Sequence, residues 1–459
     1  MSTSHQQRQQ HLSLVMYHAR QGPPEVLAFI DGCLSGDLEL VSKHMKKRRR
    51  KQQLGSDKIA IDINQPVLEN HLPLFLACQG QTKAHAGIVR HLIKKGAKTR
   101  DSKTGRLGLH RACACDSVEV VREWLGLMPN QIAAQSFDGS TPLSIAAQSG
   151  SKECLGVLIK NGADPDVRTV NKSTALYLAC CTNNLDIVDI LLVRGRACPL
   201  IDNQDGETPL FRAATDGNMP IVQRLLDIPL PSACIEATVH SAAGQTALVT
   251  AARYGHVEIV QALLEAGADM DHGDSQGRTA LYAASQEGHA NVVQLLLNNK
   301  CDLEPHVENG SSPLMVSAQG GHLKTFELLI SSGADLNVVD ASNRSLFEIC
   351  CIGGDYGVLC SLIKHGGVEK RWKIPVYLMR NFKKSSDVGR LQRIQMALRH
   401  KTAQKEIHEH LRMCAASIEE ANLQCAAASE MANRCELYAE MAKTGAGVGL
   451  PTEEQEQEK

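Results

Sequence analysis

Apolar residues in this chain come in short paired bursts separated by glycine and polar residues, without the strict alternation of a half-buried strand. The stretch from Gly244 to Asp269 shows the unit clearly. Ala251-Ala252 lies in the first burst and Gly255-His256 breaks it. Ile259-Val260 and Leu263-Leu264 form the second burst, and Gly267-Ala268-Asp269 closes it. Spacings of three and four put Ile259, Val260 and Leu263 on one face of a helix. A threonine precedes the first burst, where its side chain can cap free amides. Where proline follows, as in Thr141-Pro142 and Thr208-Pro209, its ring suits the first helical turn. The glycine before Ala-Asp stops the second helix, because it tolerates the left-handed conformation that ends one. These devices predict helix, turn, helix and hairpin, with small residues in the first helix so that neighbouring units approach closely.

The unit repeats. Gly244 to Leu248, Gly277 to Leu281 and Gly310 to Leu314 follow one another at intervals of 33 residues. Gly139 to Leu143, Lys172 to Leu176, Gly206 to Leu210 and Asn343 to Phe347 match the same template, and weaker copies begin near His71 and Gly105. The Thr-Pro-Leu-His-like motifs, here Thr208-Pro209-Leu210-Phe211 and Thr279-Ala280-Leu281-Tyr282, make the chain resemble the ankyrin repeat. The resemblance covers about residues 65–368 in nine copies. A degenerate tenth precedes them, with Gly36 to Val41 in the second-helix slot and Ile61 to Asn64 in the hairpin slot. Longer loops are expected around Gln81 to Gly87 and between Thr208 and Thr246, which are 38 residues apart. The resemblance implies an all-α solenoid of stacked repeats and recognition of partners, usually proteins, along a concave side made of hairpin tips and first helices.

Composition adds little to the fold but narrows the chemistry. Aromatics are 3% of residues, so a core must be built from Leu, Ile, Val, Ala and Cys, which suits thin stacked helices. The formal net charge of -1 argues against a chain-wide field for nucleic acid or membrane. No stretch approaches the roughly 18 consecutive apolar residues of a membrane span. The first residues offer only Leu12 to Met16 as an apolar run, so no secretory signal is expected. Sixteen cysteines without a CxxC pair point to a reducing, intracellular setting, cytoplasmic with nuclear access as an open alternative. Cys78, Cys113, Cys180 and Cys351 occupy the second small position of the first helix, which makes them packing residues and not zinc ligands. His256, His289 and His322 recur after glycine with no matching nucleophile or carboxylate, so a structural hydrogen bond is expected of them and catalysis is not. No phosphate-binding glycine loop occurs, and no cofactor or metal is expected.

Partner contacts should fall where the repeat leaves residues unconstrained, at hairpin tips and first-helix ends. Phe137, Asp205, Glu207, Arg253, Tyr254, Arg278 and Gln286 are the candidates, with Phe137, Arg253, Tyr254 and Arg278 favoured as aromatic or arginine anchors. Asn337, with Asp335 and Leu336 before it and Leu329 eight residues upstream, is similar in spacing to the ankyrin pattern that an asparaginyl hydroxylase modifies. An ordinary hairpin asparagine is the simpler reading.

The flanks divide by charge. Lys46, Lys47, Arg48, Arg49, Arg50 and Lys51 form a run that reads as a nuclear address or a solvated loop. Residues 370–405 carry eleven Lys and Arg against Asp387, and residues 406–459 carry eleven acids against four bases. The segments expected are a disordered 1–22, a degenerate cap 23–64, the array 65–368, a basic helical segment 369–405, an amphipathic helix 406–443 with coiled-coil spacing, and an acidic disordered tail 444–459. The basic segments 46–51 and 370–405 offer a second reading, binding of nucleic acid or anionic lipid. The stripe from Ile407 to Ala439 offers weak self-association. A non-catalytic protein-binding adapter is the reading that accounts for most of the chain.

Overall fold

The computed structural model describes residues 24–46, 62–66, 72–228, 244–353 and 355–365. Among them are twenty α-helices and no strand, only the isolated bridges Arg100 to Leu107 and Val339 to Ser345. The chain divides into two compact units, Met1–Ala280 and Leu281–Lys459. Apart from Lys46, the basic run 46–51 lies outside the described residues, as do the segments 370–405 and 406–443 and nearly all of the extra loop before Thr246.

In the first unit, seven helix pairs follow one another: Pro24–Ser35 with Leu38–Lys46, Pro73–Ala77 with Lys83–Lys94, Gly108–Ala114 with Val118–Leu127, Pro142–Ser149 with Lys152–Lys160, Ala175–Cys181 with Leu185–Val193, Pro209–Thr215 with Met219–Leu226, and Ala247–Tyr254 with Val257–Glu265. First helices pack on first helices, and second helices on second helices. The second unit begins within the helix Ala280–Glu287 and holds Ala290–Asn298, Pro313–Gly320 with Leu323–Ser331, and Leu346–Gly353 with Tyr356–Lys364. Pro313–Gly320 packs on Leu346–Gly353, and Leu323–Ser331 packs on both Ala290–Asn298 and Tyr356–Lys364.

The helix starts follow from the sequence. Thr141, Thr174, Thr208, Thr246 and Ser312 each accept a hydrogen bond from the backbone N–H three residues on, at 3.1–3.3 Å. Two starts depart from the pattern, with Leu72 and Leu107 in the cap position, and the second departs further. Gly108 stands where Pro142 and Pro209 stand in other copies, because a Cβ there would lie 2.6 Å from the Trp124 ring. Trp124 is fully buried, and its indole N–H donates to Gln131 Oε1 at 3.0 Å. The glycine thus lets a large ring enter a stack built for small side chains.

The cysteines of the first helices are core residues. Cys78, Cys113 and Cys180 are fully buried and Cys351 is nearly so, in the slot that Ala147, Ala214 and Ala252 fill elsewhere. Burial pushes the Cys351 thiol up to about 12, where it stays protonated and unreactive. The recurrent histidines tie one repeat to the one before it. His256 Nε2 lies 3.4 Å from the Thr215 carbonyl oxygen, and His322 Nε2 lies 2.9 Å from that of Gln286. Space for each ring is left by a glycine of the preceding repeat, since a Cβ on Gly217 or Gly288 would come within 2.5 Å of the imidazole. At the equivalent slot Ser117 and Ser151 are too short for this reach, and their buried hydroxyls find no partner. His110 reaches the other way, to the repeat that follows: Nδ1 accepts from the Leu107 N–H at 3.0 Å, so Nε2–H donates to the Ser140 carbonyl at 3.0 Å. Burial lowers its pKa to about 4, and the ring is neutral at physiological pH.

Candidate partner-binding surface

Four of the hairpin tips are five-residue turns alike in closure, the first N–H donating to the carbonyl of the fifth residue. Ser136 to Ser140, Thr169 to Ser173, Asn203 to Glu207 and Asp274 to Arg278 all close at 3.0 Å. Successive tips of the first unit are laced together by their backbones. Phe137 N–H donates to Thr104 O at 3.0 Å, Val170 N–H to Asp138 O at 3.0 Å, and Gln204 N–H to Asn171 O at 2.9 Å. Ion pairs run alongside, Arg106 with Asp138 at 3.1 Å and Arg168 with Asp202 at 3.4 Å. With these backbone donors engaged, the tips form a pre-organised edge on which only side chains vary.

Phe137 projects from this edge, 62% exposed, with one side of its ring against Gly105. Val170 occupies the equivalent position on the next tip and is 66% exposed. Sequence reasoning missed it. The signal was its place two residues before Lys172, the left-handed residue of the turn, which aligns with Gly139 as Val170 aligns with Phe137. Adjacent exposed apolar side chains on a rigid edge are the kind of feature that anchors a protein interface. The flanking charges stay on: burial pushes the Asp138 carboxyl up, but hydrogen bonds from the Ser136 hydroxyl, the Ser140 amide and Arg106 outweigh it and hold the group well below the usual carboxylate range.

The remaining candidates differ in how free they are. Asp205 is exposed and its amide is held by Asn203 Oδ1 at 2.9 Å, leaving the carboxylate to solvent. Glu207 is half-buried, and its carboxylate accepts from the Tyr177 hydroxyl and, at 3.2 Å, from Asn203 Nδ2. Arg253 is half-buried beside Gln245, whose carboxamide oxygen, turned toward the guanidinium, accepts from Nη1 at 3.2 Å. Tyr254 is 55% exposed, its ring centroid 6.2 Å from that of His256. Arg278 closes its own loop, with Nε donating to Asp274 Oδ2 at 2.8 Å. Asp274 is buried and also accepts from the Gln276 and Arg278 amides at 3.0 Å. Burial alone would raise that carboxyl, but these hydrogen bonds and the guanidinium charge overcome it and lower its pKa.

Phe137 and Tyr254 belong to repeats three steps apart, roughly 25–30 Å at ordinary helix packing distances, so they are separate contact points on one unit. In the second unit Gln286 is exposed at the end of its helix, and its backbone carbonyl receives His322. Asn337 is exposed, with its amide bonded to Asp335 Oδ1 at 2.9 Å. Among the described residues no cluster of three or more His, Cys, Asp or Glu is arranged to hold a metal, and no helix is long and apolar enough to cross a membrane.

Comparison with known proteins gives a consistent picture. The family model for ankyrin repeats, three copies, matches overlapping segments from residue 123 to residue 340. A leucine-rich repeat serine/threonine-protein kinase 1 from Caenorhabditis elegans is 28% identical over 239 residues, 44% of this chain and 10% of that protein. The human transient receptor potential cation channel subfamily A member 1 is 30% identical over 155 residues, 33% of this chain and 13% of that protein. This chain therefore spans only a small part of the length of the relatives it matches. Among solved structures, the human ASB11 ankyrin repeat domain is 24% identical with a TM-score of 0.43, over 50% of this chain and all of that one.

Proposed function

Since the chain belongs to the ankyrin-repeat family, through residues 123–340 and the helix pairs they form, we propose that it is a non-catalytic adapter that captures a protein partner on its hairpin tips and first-helix ends. The observation that carries this reading is the pair Phe137 and Val170, exposed at equivalent places on adjacent, backbone-laced tips. Large apolar side chains gain nothing from water, and the turn needs neither of them to close. Asp205 and Tyr254 extend the contact along the first unit, while Glu207, Arg253 and Arg278 shape it through their internal hydrogen bonds. The kinase resemblance covers a tenth of that relative and lends no catalytic role here.

Affinity capture from cells followed by mass spectrometry tests the proposal. Protein partners recovered with the native chain should be lost with Phe137→Ala combined with Val170→Asp, while the melting temperature stays within about 2 °C, as expected of exposed positions. An unchanged set of captured proteins would refute the tip assignment.

A further inference from the structure

The second helices of the first unit carry a feature that partner capture at the tips does not use. Between Lys83–Lys94 and Val118–Leu127 runs an open groove whose floor includes Gly87 and Gly126, so no side chain from those two positions fills it. Lys83, Arg90 and Lys94 line one wall at spacings of seven and four, which places them on a single helix face about 16 Å long. Glu119, Arg122 and Glu123 line the other. Arg90 and Glu123 consume each other in a two-pronged ion pair, Nε to Oε1 at 2.6 Å and Nη2 to Oε2 at 2.5 Å. What remains is Lys83, Lys94 and Arg122, all exposed, against the single acid Glu119. Elsewhere on the same unit second helices balance their charge across the gap, as Lys152 does with Asp186 at 3.1 Å and Arg224 with Asp189 at 2.5 Å. The excess positive charge of this groove is extended by Lys43, exposed on the preceding second helix, which packs on Lys83–Lys94.

We propose that this groove is a second docking surface, for an acidic segment of a partner protein. Carboxylates spaced along such a segment would meet Lys83, Lys94 and Arg122 in turn, and Leu127 at the groove's end offers an apolar contact. A polyphosphate backbone fits less well, because its evenly spaced charges would run past Glu119, and no aromatic side chain lines the groove for a base to stack on. The surface lies on the second helices and away from the tips, so its failure would leave the tip assignment standing.

The test uses the full chain and a fluorescent helical peptide of about sixteen alanine-based residues, with two glutamates eleven positions apart to meet Lys83 and Lys94 and a third for Arg122. Anisotropy should show saturable binding of this peptide and none of its glutamine counterpart. Lys83→Gln, Lys94→Gln and Arg122→Gln together should weaken it by about tenfold, the sum of three exposed charge pairs, with an unaltered melting curve. Glu119→Gln should tighten it. Equal binding by the triple variant, no binding of the glutamate peptide, or tighter triple-sensitive binding of an RNA oligonucleotide or phosphatidylserine vesicle would each overturn the proposal.

Discussion

The tips at residues 136–140 and 274–278 have the same backbone turn but achieve it with different chemistry. At 274–278 a buried aspartate at the head of the turn takes two amides and the guanidinium of Arg278, so the arginine is engaged inside its own loop. At 136–140 the carboxylate sits two residues later, on Asp138, which bonds the Ser140 amide at 3.1 Å and reaches Arg106 of the preceding tip. Phe137 is left with no structural duty beyond the side of its ring on Gly105. The difference teaches that a tip residue's type says less about its availability than whether the turn has already claimed its polar atoms.

The sharpest way to break the comparison is Asp274→Ala. It removes charge-assisted hydrogen bonds to two amides and a guanidinium at a buried position, and should cost about 2–3 kcal/mol in denaturant unfolding. Because the Asp274 carboxyl is held below its ordinary value in the folded chain, its contribution is present above the unfolded carboxylate pKa of about 4 and fades as pH falls through the lower folded value. Asp274→Asn should therefore flatten the loss of stability on acidification. A native-like acid slope in that variant would show that the loop's charge is not what holds it.

A smaller effect is expected where a side chain occupies a slot made for glycine. Gly267 ends its second helix at φ 92°, and Lys300 stands in the equivalent position of the next repeat at φ 64°. Lys300→Gly should raise stability by about 1 kcal/mol, because the left-handed conformation burdens a residue with a Cβ. A lower melting temperature would mean that the lysine side chain compensates for its backbone. The smallest effect is expected at the tip itself: Phe137→Ala should change unfolding free energy by no more than about 0.5 kcal/mol, as is usual for exposed positions. A loss of 2 kcal/mol or so would put Phe137 among the packing residues, beside Leu and Phe cores, and not among the contacts.

Much of this architecture is legible in the order of the residues alone. The 33-residue period, the Thr and Ser caps, the glycine stops and the small-residue slot filled by cysteine follow from local geometry, since each depends on neighbours a few residues away. The histidine slot is visible as a recurrence, although its reach to a carbonyl of the previous repeat is not. Val170 escapes notice although Lys172 to Leu176 fixes its register, because an isolated valine in a linear pattern does not show that its side chain stays exposed. Arg278 looks free because nothing in a linear pattern shows that Asp274, four residues earlier, is turned inward.

By itself, then, the sequence determined the repeat, most of its helix boundaries and the class of residue each slot requires, because those are set by backbone conformation and helical period within one unit. The exception is Gln81 to Gly87, expected as a longer loop, where the helix Lys83–Lys94 already begins. Only the tertiary structure decided which unconstrained residues remain available. Whether Gly108 yields to Trp124, whether Arg253 meets Gln245, and whether Lys83 and Arg122 face a balancing acid depend on side chains brought together from different elements. Burial and pairing are properties of that assembled surface, and no single repeat carries them.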